Sequence, residues 1–242
     1  MAFFAFFDLN LPRALRDQLV EAFQQLDEAT LNQPTIGQVP TERGVYQLYH
    51  SNQLVYVGKA DNLRSRLTDH FWKISGRINL NITDMTFKCL WMSPNWITLA
   101  PERQLIELYG LQGTSSWNGN GFGPNDPGKA RDDRNDPPSP FDQMYPIRND
   151  WPCQSVTAGE WDVLALLARL KAELPYLLRY EKPHPDYEGI TVTVPEAGMS
   201  AIQLLQLAAQ SMPTGWQATR FSSHMILYKR IRDFQYGTVI FP

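Results

Sequence analysis

The amino-acid sequence predicts a protein of the α+β class. Apolar segments typical of strands are interleaved with amphipathic segments typical of helices. Two such strands flank the small polar segment 51–53, which predicts a β-hairpin. The proline-rich stretch 124–152 then separates these elements from a second set. The 242 residues are therefore expected to form a small sheet domain and an α+β companion domain.

The first predicted element is an amphipathic helix. Asn10 is a suitable N-cap, Pro12 fits a first helical turn, and apolar residues then recur at three- and four-residue spacing. A loop rich in proline and glycine leads to the hairpin, whose strands are predicted over 44–50 and 54–57.

Three further elements complete the first set. Asp61 or Asn62 can cap a second helix that carries apolar residues on one face. A third strand is predicted over 86–92, and a helix begins near Pro101 and ends at Gly110. We therefore expect a three-stranded sheet with flanking helices.

The second half begins with a long segment, residues 110–152, in which no periodic pattern is found, so a loop or linker is predicted there. Thr157 and Glu160 have the spacing of a capping box, which predicts a helix that ends before Pro175. The remaining predicted elements are a strand over 190–194, a helix over 200–211, and strands over 216–220, 225–230 and 237–241.

Composition excludes several classes of protein. No apolar run approaches the roughly 18 residues of a membrane span. The apolar N-terminal segment lacks basic residues and precedes Asp8, so it is not expected to be a secretory signal, and we expect a cytoplasmic protein. The 2 cysteines and 4 histidines do not have metal-ligand spacing. With a net charge of -3, any binding to nucleic acid must use a local basic patch.

Two tripeptides on the hairpin strands carry the first functional signal. They are Gly44-Val45-Tyr46 and Tyr56-Val57-Gly58. Arg66 follows on the next helix, and His70 lies about one turn later, so both side chains can face the tyrosines. Taken singly, these residues would be core aromatics and a solvated helix face. Their joint occurrence in this order indicates a functional site.

Two more residues follow in the same order. Glu102 opens the helix near Pro101, and Asn118 comes directly after Trp117. Over residues 44–118 the sequence therefore resembles the GIY-YIG nuclease superfamily. Segments between residues 85 and 146 are similar to the GIY-YIG type II restriction endonucleases, which cut a short GC-rich palindrome as homodimers. The domains expected from this resemblance are an N-terminal helical extension (1–40), a GIY-YIG nuclease domain (41–123), a Gly/Pro-rich loop or linker (124–152) and the companion domain (153–242).

The resemblance implies hydrolysis of phosphodiester bonds and a role for each residue of the motif. Glu102 would hold one divalent ion, Mg²⁺ or Mn²⁺, through its carboxylate. Arg66 would bind the scissile phosphate with its forked donor set. Tyr56 would orient the water or the phosphate, and Asn118 would support the pocket by hydrogen bonds.

The general base stays open between two residues. Tyr46 is one candidate, if nearby cations such as Lys59 or a metal-bound water lower the pKa of its phenol. His70 is the other. The predicted catalytic residues are therefore Tyr46, Tyr56, Lys59, Arg66, His70, Glu102 and Asn118.

The expected partner is double-stranded DNA. Arg64, Lys73 and Arg77 could follow the phosphate backbone from the helix that bears Arg66. Acidic residues interleave with the basic ones of the loop, so that loop could equally be a solvated polar segment. We also expect a homodimer, and a possible protein partner for the C-terminal domain, where acidic and basic residues balance. The further DNA contacts predicted in the loop are Lys129, Arg131 and Arg134.

The sequence thus predicts a metal-dependent DNA endonuclease of the restriction or phage-defence kind. A repair, mobile-element or antibacterial toxin nuclease with the same site is the alternative within enzymes. A binding module for nucleic acid or protein on a GIY-YIG fold that has lost catalysis is the alternative outside them.

Overall fold

The computed structural model describes residues 3–6, 8–93, 95, 100–123, 128, 132 and 136–242. The chain divides into two compact units. Residues 1–71 and 82–123 form the first, and residues 72–81 and 124–242 form the second. The first unit combines helices with an antiparallel sheet, and the second combines helices with a mixed sheet and an antiparallel strand pair, so the predicted α+β class is confirmed.

The first unit contains one four-stranded antiparallel sheet in the order β1-β4-β2-β3. The sequence predicted three of these strands. The additional one, β1, has only two residues, which is too short for an alternating pattern to be read. The helices are α1 (Leu11–Gln24), α2 (Gln33–Ile36), α3 (Leu63–Ser75) and α4 (Pro101–Leu111), with a 3₁₀ turn at Ile82–Asp84; the strands are β1 (Ala29–Thr30), β2 (Gly44–His50), β3 (Gln53–Ala60) and β4 (Met85–Trp91).

The hairpin β2–β3 is closed by a two-residue turn. Ser51 and Asn52 both have positive φ, 50° and 64°, which matches the right-handed twist of the flanking strands. β2 lies inside the sheet, and successive side chains point to opposite faces. Val45 packs in a core cluster with Phe23 of α1 and Leu105 of α4. Tyr46, the next residue, is therefore directed to the opposite face.

The second unit holds a four-stranded sheet in the order β10-β8-β9-β6, in which β6 runs parallel to β9, and a separate β5–β7 pair. Helices α6 and α7 supply most of the fully buried leucines of its core. Its elements are α5 (Pro140–Met144), β5 (Gly159–Asp162), α6 (Val163–Glu173), β6 (Leu177–Tyr180), a 3₁₀ turn (Pro185–Tyr187), β7 (Thr191–Val194), α7 (Ala201–Ser211), β8 (Gln217–Arg220), β9 (His224–Tyr228) and β10 (Thr238–Phe241).

Some sequence-based predictions in this half are wrong. The capping box at Thr157 and Glu160 does not form, because Glu160 lies in β5, which pairs with β7. Asp162 caps α6 instead, and its side chain accepts a hydrogen bond from the Ala165 N–H at 2.9 Å. Strands β5 and β6 were not predicted. The stretch expected to be loop contains the short helix α5, which Ser139 caps.

Within the residues that the structure describes, none of the helices is both long and apolar enough to cross a membrane.

Candidate active site

A buried hydrogen bond joins the first motif tyrosine to the helix α3. Tyr46 on β2 is only 1% exposed, and His70 on α3 is 4% exposed. The hydroxyl oxygen of Tyr46 lies 2.6 Å from Nε2 of His70. In the tautomer with the proton on Nδ1, Nε2 accepts the hydrogen bond that the tyrosine donates. The pair can therefore pass a proton from the phenol to the imidazole.

Gly58 makes room for this pair. It lies directly opposite Tyr46 in the hairpin register, and the tyrosine ring packs over it. A Cβ at this position would overlap the Tyr46 hydroxyl and lie 2.8 Å from Cε1 of Tyr56. The glycine of the second tripeptide is thus required by the close approach of the two tyrosine side chains.

The electrostatics of Tyr46 differ from the sequence-based expectation. Burial raises the pKa of the Tyr46 phenol well above its usual range, and the neighbouring Tyr56 phenol acts in the same direction. The positive charge of Arg66 opposes this shift and does not overcome it. The expectation that nearby cations lower the pKa of Tyr46 is therefore wrong. The hydroxyl stays protonated at neutral pH unless a proton acceptor such as His70 takes its proton.

Arg66 and Tyr56 border the Tyr46–His70 pair. Arg66 lies one turn before His70 on α3 and is partly exposed. Burial raises the pKa of Tyr56, whereas the neighbouring Tyr46 hydroxyl and the Arg66 charge lower it. The Arg66 guanidinium therefore acts electrostatically on both phenols. Tyr46, Tyr56, Arg66 and His70 form one group of predicted site residues.

Lys59 and Glu102 form a second group. Lys59 Nζ lies 2.9 Å from Glu102 Oε1, and the side chains are 55% and 15% exposed. Glu102 is in the first turn of α4, where the helix dipole favours a negative charge. Lys59 follows Gly58 on β3 and pairs with Val45, so its side chain leaves the sheet on the face opposite Tyr46.

The carboxylate of Glu102 has the properties required of a ligand for a divalent cation. Its second oxygen, Oε2, is buried and has no hydrogen-bond partner. Mg²⁺ and Mn²⁺ are commonly held by one or two carboxylates, with waters and substrate phosphates filling the other positions. Among the described residues, no cluster of three or more His, Cys, Asp and Glu could hold a metal ion. A cation here would therefore take one carboxylate from these residues and its other ligands from water and substrate.

Asn118 is hydrogen-bonded to strand β3 through both ends of its amide. Its Oδ1 accepts from the Val57 N–H at 2.9 Å, and its Nδ2 donates to the Val57 carbonyl at 2.8 Å. The Trp117 N–H donates to the Val55 carbonyl at 2.8 Å. Since β3 is the edge of the sheet, these bonds satisfy backbone groups that would otherwise be open to water. The segment after α4 is thereby attached beside Tyr56.

Phe122 belongs to the same environment, although no role for it was predicted. It is 1% exposed and stacks on the His70 ring, with centroids 4.8 Å apart and planes at 20°. Its ring also meets Tyr56 edge-on at 4.9 Å. The sequence does contain a Phe-Gly pair a few residues after Asn118. Its spacing alone does not predict which side chains the phenylalanine contacts.

The predicted DNA contacts have different outcomes. The prediction that Arg77 contacts DNA is wrong. Arg77 is 4% exposed and forms a buried ion pair with Asp142 at 2.9 Å, so its role is structural. Lys73 is half-buried and lies over the Phe141 ring at 5.8 Å. Arg64 is exposed, and its Nε donates to the Val39 carbonyl at 2.8 Å. Lys129, Arg131 and Arg134 lie outside the described residues.

The sequence was compared with models of known protein families. The family described as the Eco29kI GIY-YIG domain matches residues 49–157. Over these residues the chain is similar to the GIY-YIG nucleases. The predicted resemblance is thus confirmed for these residues.

Curated relatives of the GIY-YIG domain include several UvrABC system C proteins. The protein of Corynebacterium glutamicum (strain R) is 34% identical over 82 residues, which cover 34% of this chain and 11% of the relative. That of Corynebacterium diphtheriae is 33% identical over 87 residues, or 34% of this chain and 12% of the relative. That of Renibacterium salmoninarum is 51% identical over 39 residues, or 16% and 6%. The chain therefore matches only about a tenth of the length of these relatives.

Proposed function

We propose that this chain is a metal-dependent DNA endonuclease that restricts foreign DNA. The observation that carries the proposal is the match of residues 49–157 to the Eco29kI GIY-YIG domain, which extends well beyond Asn118. The buried Tyr46–His70 pair supports catalysis, because a fold that served only in binding would have no need of it.

The proposed chemistry begins with removal of a proton from the attacking water. The hydroxyl of Tyr46 accepts that proton while it donates its own to Nε2 of His70, 2.6 Å away. Because burial raises the pKa of Tyr46, the phenol serves as a relay and His70 is the final proton acceptor. The water oxygen then attacks phosphorus, the bond to the 3′ oxygen breaks, and the leaving 3′ oxygen takes a proton from solvent water.

Two cationic elements would stabilise the charge that develops on the phosphate. Arg66 would contact the non-bridging oxygens with its forked N–H groups, which a lysine cannot reproduce. Glu102 would hold Mg²⁺ or Mn²⁺, and that ion would supply Lewis-acid stabilisation of the phosphate and leaving oxygen. Lys59, paired with the other carboxylate oxygen, would fix the orientation of Glu102.

Incubation of the purified full chain with a set of plasmids and phage DNAs tests the proposal. The reactions contain Mg²⁺, Mn²⁺ or EDTA, and the His70→Asn variant, which should cut far more slowly, serves as the control. Restriction predicts discrete fragments that require the metal and form much more slowly with the variant. A smear would overturn sequence-specific restriction, and an absence of cutting with every metal would overturn the nuclease proposal as a whole.

DNA repair is the second candidate, because the match to the UvrABC system C proteins covers about a third of this chain. A repair nuclease should ignore intact plasmid and incise a duplex that carries a bulky lesion. Parallel digestion of matched duplexes with and without such a lesion separates the two functions.

We further propose that two copies act together. One GIY-YIG domain, proposed as residues 41–123, has one active site, so a double-strand break by one assembly needs two sites related by a twofold axis. The companion domain, proposed as residues 153–242, would hold the second copy or a protein partner. Sedimentation of the full chain with its duplex, read together with the ratio of linear to nicked plasmid, tests this: a monomer that only nicks would contradict it.

A further inference from the structure

Phe122 lies at the centre of the aromatic side chains that surround the Tyr46–His70 hydrogen bond. It stacks on His70, meets Tyr56 edge-on, and lies 4.8 Å from Trp117 at 49°. Tyr46 and Tyr56 border the imidazole at 5.4 and 5.7 Å. Of the rings of Tyr46, Tyr56 and Phe122, which border the imidazole, that of Phe122 is the one nearly parallel to it.

The backbone that carries Phe122 is fixed on both sides. Before it, Trp117 and Asn118 are hydrogen-bonded to strand β3. After it, Gly123 packs directly on Tyr56: a Cβ there would overlap the hydroxyl and lie 3.1 Å from Cζ. The Phe122 ring is therefore held in position beside the His70 ring and restricts its rotation.

We propose that Phe122 is a positioning residue that sets the plane of the His70 imidazole, so that Nε2 points at the Tyr46 hydroxyl. The inference rests on the proposed function, because it concerns the proton relay assigned above. The terminal torsion of histidine has broad minima, so the packing of neighbouring rings contributes to its orientation. A stacked aromatic ring excludes rotations that a branched aliphatic side chain permits. A misplacement of about 1 Å at a reacting group can lower a rate about 100-fold.

The test compares Phe122→Leu with Phe23→Leu. Phe23 is an equally buried phenylalanine of the same unit, and it packs with Leu19 and Leu105 on the other face of the sheet. For Phe122→Leu we expect single-turnover cleavage to fall about 10- to 100-fold, with DNA affinity changed less than about twofold. Phe23→Leu should alter both constants less than about threefold at a temperature where each variant is folded. Equal losses in the two variants would overturn the inference.

A double-mutant cycle separates positioning from general support of the fold. If Phe122 acts through His70, then Phe122→Leu should lower the residual rate of the His70→Asn enzyme less than about twofold. Losses that multiply independently would show that Phe122 acts elsewhere, and would overturn the proposal.

A readout without catalysis keeps this inference distinct from the proposed function. The ring ¹⁵N–¹H correlations of His70 report its tautomer and its hydrogen bond to Tyr46. They should change in Phe122→Leu and stay the same in Phe23→Leu. If the wild-type chain does not cut DNA, the proposed function fails and these spectra still decide the positioning role. An unchanged His70 signal in Phe122→Leu would refute it.

Discussion

Replacement of Gly58 by alanine is the most direct perturbation of the site. The new Cβ would overlap the Tyr46 hydroxyl, although ordinary carbon contacts lie at about 3.5–4.0 Å. Relief of the overlap requires the hydroxyl to move by about 1 Å. Tyr46 is almost completely buried, so its hydroxyl cannot make this movement by shifting into solvent. The hydrogen bond of 2.6 Å to His70 would be lengthened or broken.

The structure gives two magnitudes for Gly58→Ala. Overpacking a filled core lowers the free energy of unfolding by about 1–3 kcal/mol. The displaced hydroxyl should lower single-turnover cleavage about 100-fold, which corresponds to about 2.7 kcal/mol in the activation barrier. The first effect is measured by urea unfolding, and the second by single-turnover cleavage of a target duplex well below the unfolding transition.

Gly110→Ala is the matched control. Gly110 lies in helix α4, and a Cβ there would meet no atom within 4 Å. Alanine should stabilise the helix by about 0.5–1 kcal/mol and leave cleavage unchanged. A Gly58→Ala protein that unfolds at the same urea concentration as the wild type and cuts within about threefold of its rate would refute the reasoning.

Three further predictions concern single charges. Glu102→Gln should abolish cleavage and retain DNA binding, because it removes the metal-neutralising charge at constant shape; cleavage that persists in Mg²⁺ would contradict this. Arg66→Lys keeps the charge and loses the fork, so we expect cleavage to fall far more than DNA affinity, and a milder effect of Arg66→Lys than of Arg64→Lys would show that the assignment is wrong. Asp132 is buried, which alone would raise its pKa, yet hydrogen bonds from His224 and Arg179 lower the pKa to about 2. Ionised Asp132 therefore stabilises the folded state fully above about pH 4, and this contribution is lost as the pH falls toward 2. The free energy of unfolding in urea should fall by about 2 kcal/mol over that range, and Asp132→Asn should lack this fall.

The part of the site that sequence could predict lies on regular elements at short spacing. Both strands of the hairpin were predicted, so Tyr46 and Tyr56 were expected on neighbouring strands. The predicted turn, 51–53, was one residue too long, and the register comes from the structure. Arg66 and His70 are one turn apart on a helix, which places them on one face. These relations depend on geometry within one or two neighbouring elements.

The predictions that were wrong depend on contacts between residues distant in sequence. Arg77 lies just past the end of α3, where a cation is ordinarily solvated, and its burial follows from a carboxylate 65 residues away. The pKa of Tyr46 depends on burial by side chains from several elements, which counting nearby cations does not capture. The stacking of Phe122 on His70 likewise joins two segments 52 positions apart in the chain.

The two groups of site residues differ in how firmly the fold holds them, and this difference indicates what each can do. Tyr46 and His70 are enclosed by packed rings, so their hydrogen bond is aligned before substrate arrives. Lys59 is more than half exposed, and an ion pair in that setting adds little to stability and is weakened by salt. Its value must therefore lie in orienting Glu102, whose buried second oxygen has no other partner. The fold thus aligns the Tyr46–His70 hydrogen bond in advance, whereas at Glu102 the lysine holds one carboxylate oxygen and the other oxygen is left for the proposed cation.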